Sequence, residues 1–425
     1  MATSAWMHAN GFRPAKAPLI APMDVMNIRT LALTVSPLLF LAAPGSSAVS
    51  TGSPFYGDPP DQHHPWAIHD RNRPQPKRVE PGTYSTADKP GKPPSDAIVL
   101  FDGTAESLAQ WESDVKEVPA PPTKWVVKDG AMECVPKSGY IRTKSQFGDI
   151  QLHVEWAAPK QVQGDSQGRG NSGIFLMGLA EVQVLDNYNN PTYADGFAAS
   201  VYGINPPLAN ALHPPGEFQS IDIIFRRPIY QNGKLIDPGY LTVFCNGVLM
   251  QDHTPLEGPG GHMKRSVSRP FPEKGPLKLQ DHGNPVRFRN IWYRELPPRA
   301  IEGGTDGVLT AEATTAKRKE IAAGLRREAA ALKATPTAEM LRLAESLVYE
   351  KEPAATSAVE TMAARYVAET SALATDQQEK RKGEIQSVNR AFKYLAKFNV
   401  VPASFAPIAA LDRIEKARGW DEKKK

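Results

Sequence analysis

Two carboxylates and an amide stand close together in Glu181-Val-Gln183-Val-Leu-Asp186. A pair of carboxyl groups about 5 to 5.5 Å apart can cleave a glycosidic bond with retention, one as nucleophile and one as acid/base. Spaced five positions apart, Glu181 and Asp186 reach one face of a strand only where a bulge intervenes. The same residues suit a plainer role as the solvated face of a strand whose other side is core. A second candidate is Leu279-Gln-Asp-His-Gly-Asn-Pro285, in which Asp281 and Asn284 flank His282. A histidine held in one tautomer can act as a base near neutral pH, although this stretch is also simply a favourable turn. A third is Gly168-Arg-Gly-Asn171-Ser-Gly173. No helical pattern and no Lys-Ser/Thr follows it, so it is not a phosphate loop; its glycines suit close approach of the backbone to a ligand or strand.

The first candidate lies in a predicted hairpin, with runs at Ile174 to Met177 and Glu181 to Leu185 joined through Gly178-Leu179-Ala180. Side chains alternate along a strand, so Glu181 and Gln183 share one face and Val182 and Val184 the other. Further short β-rich runs fill the region from Ala97 to Leu296, among them IQLHVEWA, SIDIIFRRP, YLTVFCNGVLM and VRFRNIWYREL. No helical period separates them, which predicts an antiparallel two-sheet sandwich. In Asp149 to Trp156 the alternation sets Ile150, Leu152, Val154 and Trp156 against Gln151, His153 and Glu155. The loop from Tyr188 to Phe218, carrying Tyr193, Asp195, Tyr202, Asn210 and His213, is long for a hairpin connection and reads as functional.

The chain has 425 residues, 41% hydrophobic, with a net charge of +4 from mixed signs. That balance offers no basic stripe for phosphate neutralisation and argues against a nucleic-acid partner. Cys134 and Cys245 are too few for a disulfide scaffold or thiolate cluster and read as buried free thiols. Met26-Asn-Ile-Arg29, the apolar run Leu31 to Ala43 and the small residues Ser46 and Ala48 form a signal-peptide pattern. The expectation is export to the periplasm or exterior from a true start at Met26, with no stable membrane span after cleavage, because the run is short and holds Pro37. Residues 49–96 read as a Pro-rich extended arm, whose His63-His64 pair is expected to be solvated and not metal-bound. Residues 97–298 read as the sandwich and 299–425 as a helical extension. Helices are predicted at 311–332, 338–349, 354–373, 377–398 and 408–418, with Pro336, Pro353 and Pro402 between them.

Two resemblances sharpen this. The Glu181 strand resembles the E-x-D-x-x-E strand of laminarinase-type β-glucanases, with Gln183 in place of the middle acid and Asp186 in place of the last. More extensively, GNSGIFLMG, EVQVLDNY, TYADG, the VYG-x-NPPL-x-N loop, PPGEFQSIDIIF, VFCNGVLMQDH, GPLKLQDHGNPVRFRNIW and the opening IVLFDG together resemble the 3-keto-disaccharide hydrolase domain family. That resemblance implies a concanavalin A-like lectin/glucanase jelly roll and cleavage of 3-keto-glycosides. A ketone at C3 acidifies the C2 hydrogen, so the C1 substituent can be eliminated and water added. The roles expected on this basis are proton transfer by Glu181 and His282 with Asp186 supporting, and sugar binding by Asn171, Gln183, Tyr202, Asn210 and Asn284. A divalent cation held by carboxylate and imidazole is a possible Lewis acid for the enolate. A retaining β-glucanase and a non-catalytic carbohydrate-binding module stay open as alternatives.

Overall fold

The computed structural model describes Phe55 and residues 57–256, 258, 260–305 and 307–420. The signal-peptide pattern and the Met26 start lie outside these residues. In chain order the sandwich comprises β1 (Ile98–Phe101), a short helix α1 (Ala105–Leu108), β2 (Trp111–Ser113), β3 (Val126–Lys128), β4 (Ala131–Glu133), β5 (Ile141–Thr143) and β6 (Ile150–Ala157). It continues with β7 (Ser172–Leu176), β8 (Ala180–Val184), β9 (Gln219–Arg226), β10 (Ile229–Gln231), β11 (Lys234–Asp237), β12 (Tyr240–Cys245), β13 (Val248–Pro255), β14 (Lys278–Leu279) and β15 (Arg287–Glu295). One sheet runs β13-β12-β9-β6-β15-β4-β3, with β1 also on β15, and the other runs β2-β5-β14-β7-β8. All of these pairings are antiparallel.

The two sheets enclose one apolar core that includes Trp111, Phe147, Trp156, Ile174, Val182, Phe225 and Phe288, all essentially fully buried. Strand β9 shows the simplest cause, strict alternation of buried and half-buried residues as expected for a sheet with one face on the core. Strand β6 departs from it, because His153 and Glu155 on its polar face are buried too. The arm covers that face. Ser85 donates to Glu155 at 2.6 Å, and the Arg289 guanidinium bonds Glu155 at 2.7 Å and the carbonyls of Thr86 and Asp88 at 2.7 and 3.0 Å. A β-bulge in β15 between Arg289 and Trp292 puts Asn290 at φ 49° and aims its amide at Glu155, 2.6 Å away. Burial pulls the His153 pKa down, but its hydrogen bonds to Asp222 and Glu155 outweigh this and lift it to about 9. Removing charges from water in this way requires that they be paired, and these are.

After the sandwich come α2 (Ala311–Ala331), α3 (Pro336–Tyr349), α4 (Pro353–Ala372), α5 (Thr375–Lys380), α6 (Lys382–Lys397) and α7 (Ala406–Ala417). Pro336 and Pro353 open α3 and α4, consistent with proline's preference for the first helical turn, where no amide partner is lost. The helix expected over 377–398 is broken at Arg381 into α5 and α6. These helices bury their own core of Met340, Leu347, Val359, Phe392 and Leu411, to which the arm adds Phe55 and the half-buried Trp66. His63 binds the Leu309 carbonyl at 2.8 Å, His64 binds Asp61, and Arg71 pairs with the buried Glu345. Cys134 and Cys245 are free and buried. Among the described residues no helix is long and apolar enough to cross a membrane.

Candidate functional site

The core side of the five-stranded sheet takes Ile141, Leu279, Ile174 and Val182, so the residues between them point outward. The register aligns these outward residues in rows across the strands. Glu112 faces Arg142, Arg142 faces Lys278, Lys278 faces Phe175 and Phe175 faces Glu181. One end of this row is closed by ion pairs: Arg142 with Glu112 at 2.8 Å and Asp114 at 3.2 Å, and Lys278 with Asp114 at 2.8 Å. At the other end the Glu181 carboxylate has no hydrogen bond or ion pair among the described residues. Burial alone raises its pKa to about 8.

Gly173 makes room for that carboxylate. A carbon added to Gly173 would lie 2.3 Å from Glu181 Oε1 and 2.9 Å from the Phe175 ring. No side chain larger than hydrogen fits there without moving one of them. Beside this spot Tyr140 packs against Phe175 with ring centres 5.9 Å apart, and Gln280 donates to the Tyr140 hydroxyl at 2.7 Å.

Strand β8 is not a free edge, because part of the long loop returns to pair with it. The Val182–Val201 bridge, Gln183 N to Ser200 O at 3.1 Å and Tyr202 N to Glu181 O at 3.1 Å set Tyr202 opposite Glu181 and Ser200 opposite Gln183. The Tyr202 hydroxyl lies 2.9 Å from that of Tyr193 and 3.2 Å from His262 Nδ1. Burial first, then Tyr193 and the charges of Glu181 and Asp195, hold this phenol protonated well above its ordinary pKa. It is a proton donor, standing across from a carboxyl group with raised pKa.

The neighbouring row carries acceptors with nothing to accept. Gln183 Nε2 donates to Gln167 Oε1 at 3.0 Å and Asn171 Nδ2 to the Gln167 carbonyl at 2.7 Å. Among the described residues, the buried Gln183 Oε1, Asn171 Oδ1, Gln280 Oε1 and Ser200 Oγ have no hydrogen-bond partner. Buried polar atoms are usually paired, so this grouping of orphans along one sheet face is unusual.

The remaining predicted site residues sit elsewhere. Asp186 is buried and pairs with Arg169 at 2.7 Å while accepting from Tyr188 N at 3.1 Å. It locks the turn after β8 and gives Glu181 no second carboxylate. His282 is exposed in the loop after β14, and its ring makes no hydrogen bond, ion pair or ring contact with a described residue. Among the described residues His282 makes no hydrogen bond or ion pair with Glu181; it lies four residues beyond Lys278, which the register sets across β7 from Glu181. Asn284 accepts from Gly170 N at 3.0 Å, and Asn210 ties its loop to the Asn187 carbonyl at 3.0 Å; both are fastenings of backbone. Tyr140, Phe175, Gln280 and His262 join the site without having been singled out from the sequence. His262 follows a run of glycines, Gly258 to Gly261 interrupted by Pro259, a signal that could have found it.

Among the described residues no group of three or more His, Cys, Asp or Glu side chains is placed to hold a metal ion. The Glu181 carboxylate lies over Gly173 beside the Phe175 ring, with Tyr202 paired opposite it, and among the described residues no imidazole or second carboxylate bonds it. This donor set does not fit a divalent-cation site, and the chemistry below uses none. Two pockets lie off this face, one lined by His69, Asp70, Glu345 and Tyr349, the other by Asp149, Arg227, Lys274 and Glu302. In the first, Glu345 is already paired with Arg71, and in the second, Arg227 with Glu302.

A family match puts this two-sheet antiparallel sandwich in the carbohydrate-active class. The family model for a 3-keto-alpha-glucoside-1,2-lyase-like domain matches residues 96–294, and the chain belongs to that family through this domain. A protein of Parabacteroides distasonis ATCC 8503, provisionally named a glycosyl hydrolase, is 43% identical over 53% of this chain and 93% of its own, with a TM-score of 0.49. A second protein so named from the same organism is 20% identical over 47% of this chain and 94% of its own, with a TM-score of 0.35. No curated protein matches the chain.

Proposed function

We propose that this protein is an exported enzyme that cleaves 3-keto-glycosides by C2 proton removal, elimination and hydration. The observation that carries the reading is the Glu181 carboxyl, without a partner among the described residues and with its pKa raised to about 8, across one strand pair from Tyr202. Elimination needs a base, a donor for the enolate oxygen and an acid for the departing oxygen. In its ionised form Glu181 is a stronger base than an ordinary carboxylate. It takes the C2 proton, and the C–H electron pair moves toward C3 while Tyr202 donates to the C3 oxygen. The enolate then re-forms the C3 ketone and a C1–C2 double bond as the C1–O bond breaks, and protonated Glu181 returns its proton to the leaving oxygen. Water adds at C1 with a proton at C2, so the net result is hydrolysis.

The orphaned oxygens of Gln183, Asn171 and Gln280 would accept from sugar hydroxyls, and the Phe175 and Tyr140 rings offer an apolar side for the sugar ring. The chemistry needs no second carboxylate, in keeping with the ion-paired Asp186; a retaining glucanase would need one. The test is incubation of the purified protein with a 3-keto-disaccharide and its unoxidised counterpart. Turnover of the keto sugar alone is expected. Cleavage of the plain sugar, or binding of either without product, contradicts the proposal.

A further inference from the structure

We propose that His262 is a positioning residue that determines whether Tyr202 can give its proton to the substrate. The inference rests on the reading above, in which Tyr202 donates to the C3 oxygen. A phenol carries one proton and can accept two hydrogen bonds. In the structure two groups compete for it, the Tyr193 hydroxyl at 2.9 Å and His262 Nδ1 at 3.2 Å. When Nδ1 is bare it takes the Tyr202 proton, and Tyr202 has none to offer the substrate. When Nδ1 carries the proton, His262 donates into the Tyr202 oxygen and no longer draws on the Tyr202 proton, which is left for the Tyr193 hydroxyl or for a ligand above Glu181. The imidazole tautomer therefore selects between an idle and a donating phenol.

The placement of His262 is built into the backbone. A carbon added to Gly260 would lie 1.9 Å from the Tyr202 carbonyl oxygen and 3.6 Å from the Ile204 side chain, so the loop that carries His262 lies directly against residue 202. A bridge between Gly261 and Lys264 then turns that loop, with Lys264 N donating to Gly261 O at 3.2 Å. The ring itself is bound to the described residues only through Tyr202. A loop that merely covered the sheet would not need a histidine pinned at that one oxygen.

The test compares wild type with H262A, H262N, Y202F and the H262A/Y202F double variant, measuring kcat and KM on a 3-keto-glucoside and Tm for each. Because His262 is exposed and Y202F removes a single hydroxyl, all four are expected to fold with Tm close to wild type. Y202F is expected to lose about 100-fold in kcat, the scale for removing one oxyanion donor, and H262A at least about tenfold, with KM little changed. H262N, whose short amide can place an N–H where Nδ1–H stands, is expected to recover most of that loss. The double variant is expected to be no slower than Y202F, because His262 acts through Tyr202. Wild-type kcat in H262A, no rescue by H262N, or losses that simply add in the double variant would overturn the inference while leaving the keto-glycoside reading intact. Absence of turnover by the wild type would overturn both.

Discussion

Tyr202 stands directly across from Glu181, its amide donating to the Glu181 carbonyl at 3.1 Å, so that a phenol and a carboxyl project side by side from one sheet face. The two residues are far enough apart in sequence that only the return of the long loop onto β8 brings them together. Their electrostatics reinforce each other, since the negative charge of Glu181 is among the causes that keep Tyr202 protonated.

Activity is expected to rise with pH through about 8. Glu181 must be ionised to take the C2 proton, and burial holds its pKa at about 8, so kcat/KM on a 3-keto-glucoside should climb until that value and then level off. A profile already flat from pH 5 to 8 would mean that another group is the base.

Glu181 is also expected to weaken the fold above acidic pH. Its folded pKa lies above the unfolded one, so the stability of the protonated form is fully present below the ordinary carboxylate range and is lost as pH rises toward about 8. Replacing it by Gln removes that loss. The difference in Tm between E181Q and wild type should be small near pH 4, widen up to about pH 8 and stay constant beyond. A difference that does not change with pH contradicts the assigned burial.

Gly173→Ala is expected to cut activity without unfolding the sandwich. The added methyl would sit 2.3 Å from Glu181 Oε1, forcing the carboxylate aside, and a displacement of about 1 Å at a reacting group can lower the rate about 100-fold. The checks are kcat and thermal melting of the variant. Unchanged kcat would show that the carboxylate position over Gly173 does not matter.

Much of the fold is legible in the sequence because period-two alternation and turn residues mark long strands such as β6, β9 and β15. The same alternation predicts that Glu181 and Gln183 share a face. Strands of two or three residues, such as β2 and β14, are too short to show a period, yet β14 is what carries Lys278 and Gln280 into the site. The split at Arg381 falls beside Lys382-Gly383, where glycine weakens helix propensity inside an otherwise continuous pattern. Spacing suggested a carboxylate partner in Asp186 and a base in His282, but Asp186 is taken by Arg169 and His282 turns outward after β14. Neither Arg169 nor the register of β14 can be read from local pattern. Alternation alone gives β6 a polar face, and the arm, through Ser85 and the Arg289 contacts, accounts for its burial.

The most direct test follows the hydrogen at C2. With a 3-keto-disaccharide turned over in D2O, the account predicts one deuterium bound to C2 of the released keto sugar, beyond any acquired by that product incubated alone, and loss of both cleavage and label in E181Q. Cleavage with C2 retaining its original hydrogen would contradict elimination and hydration and point to direct displacement at C1.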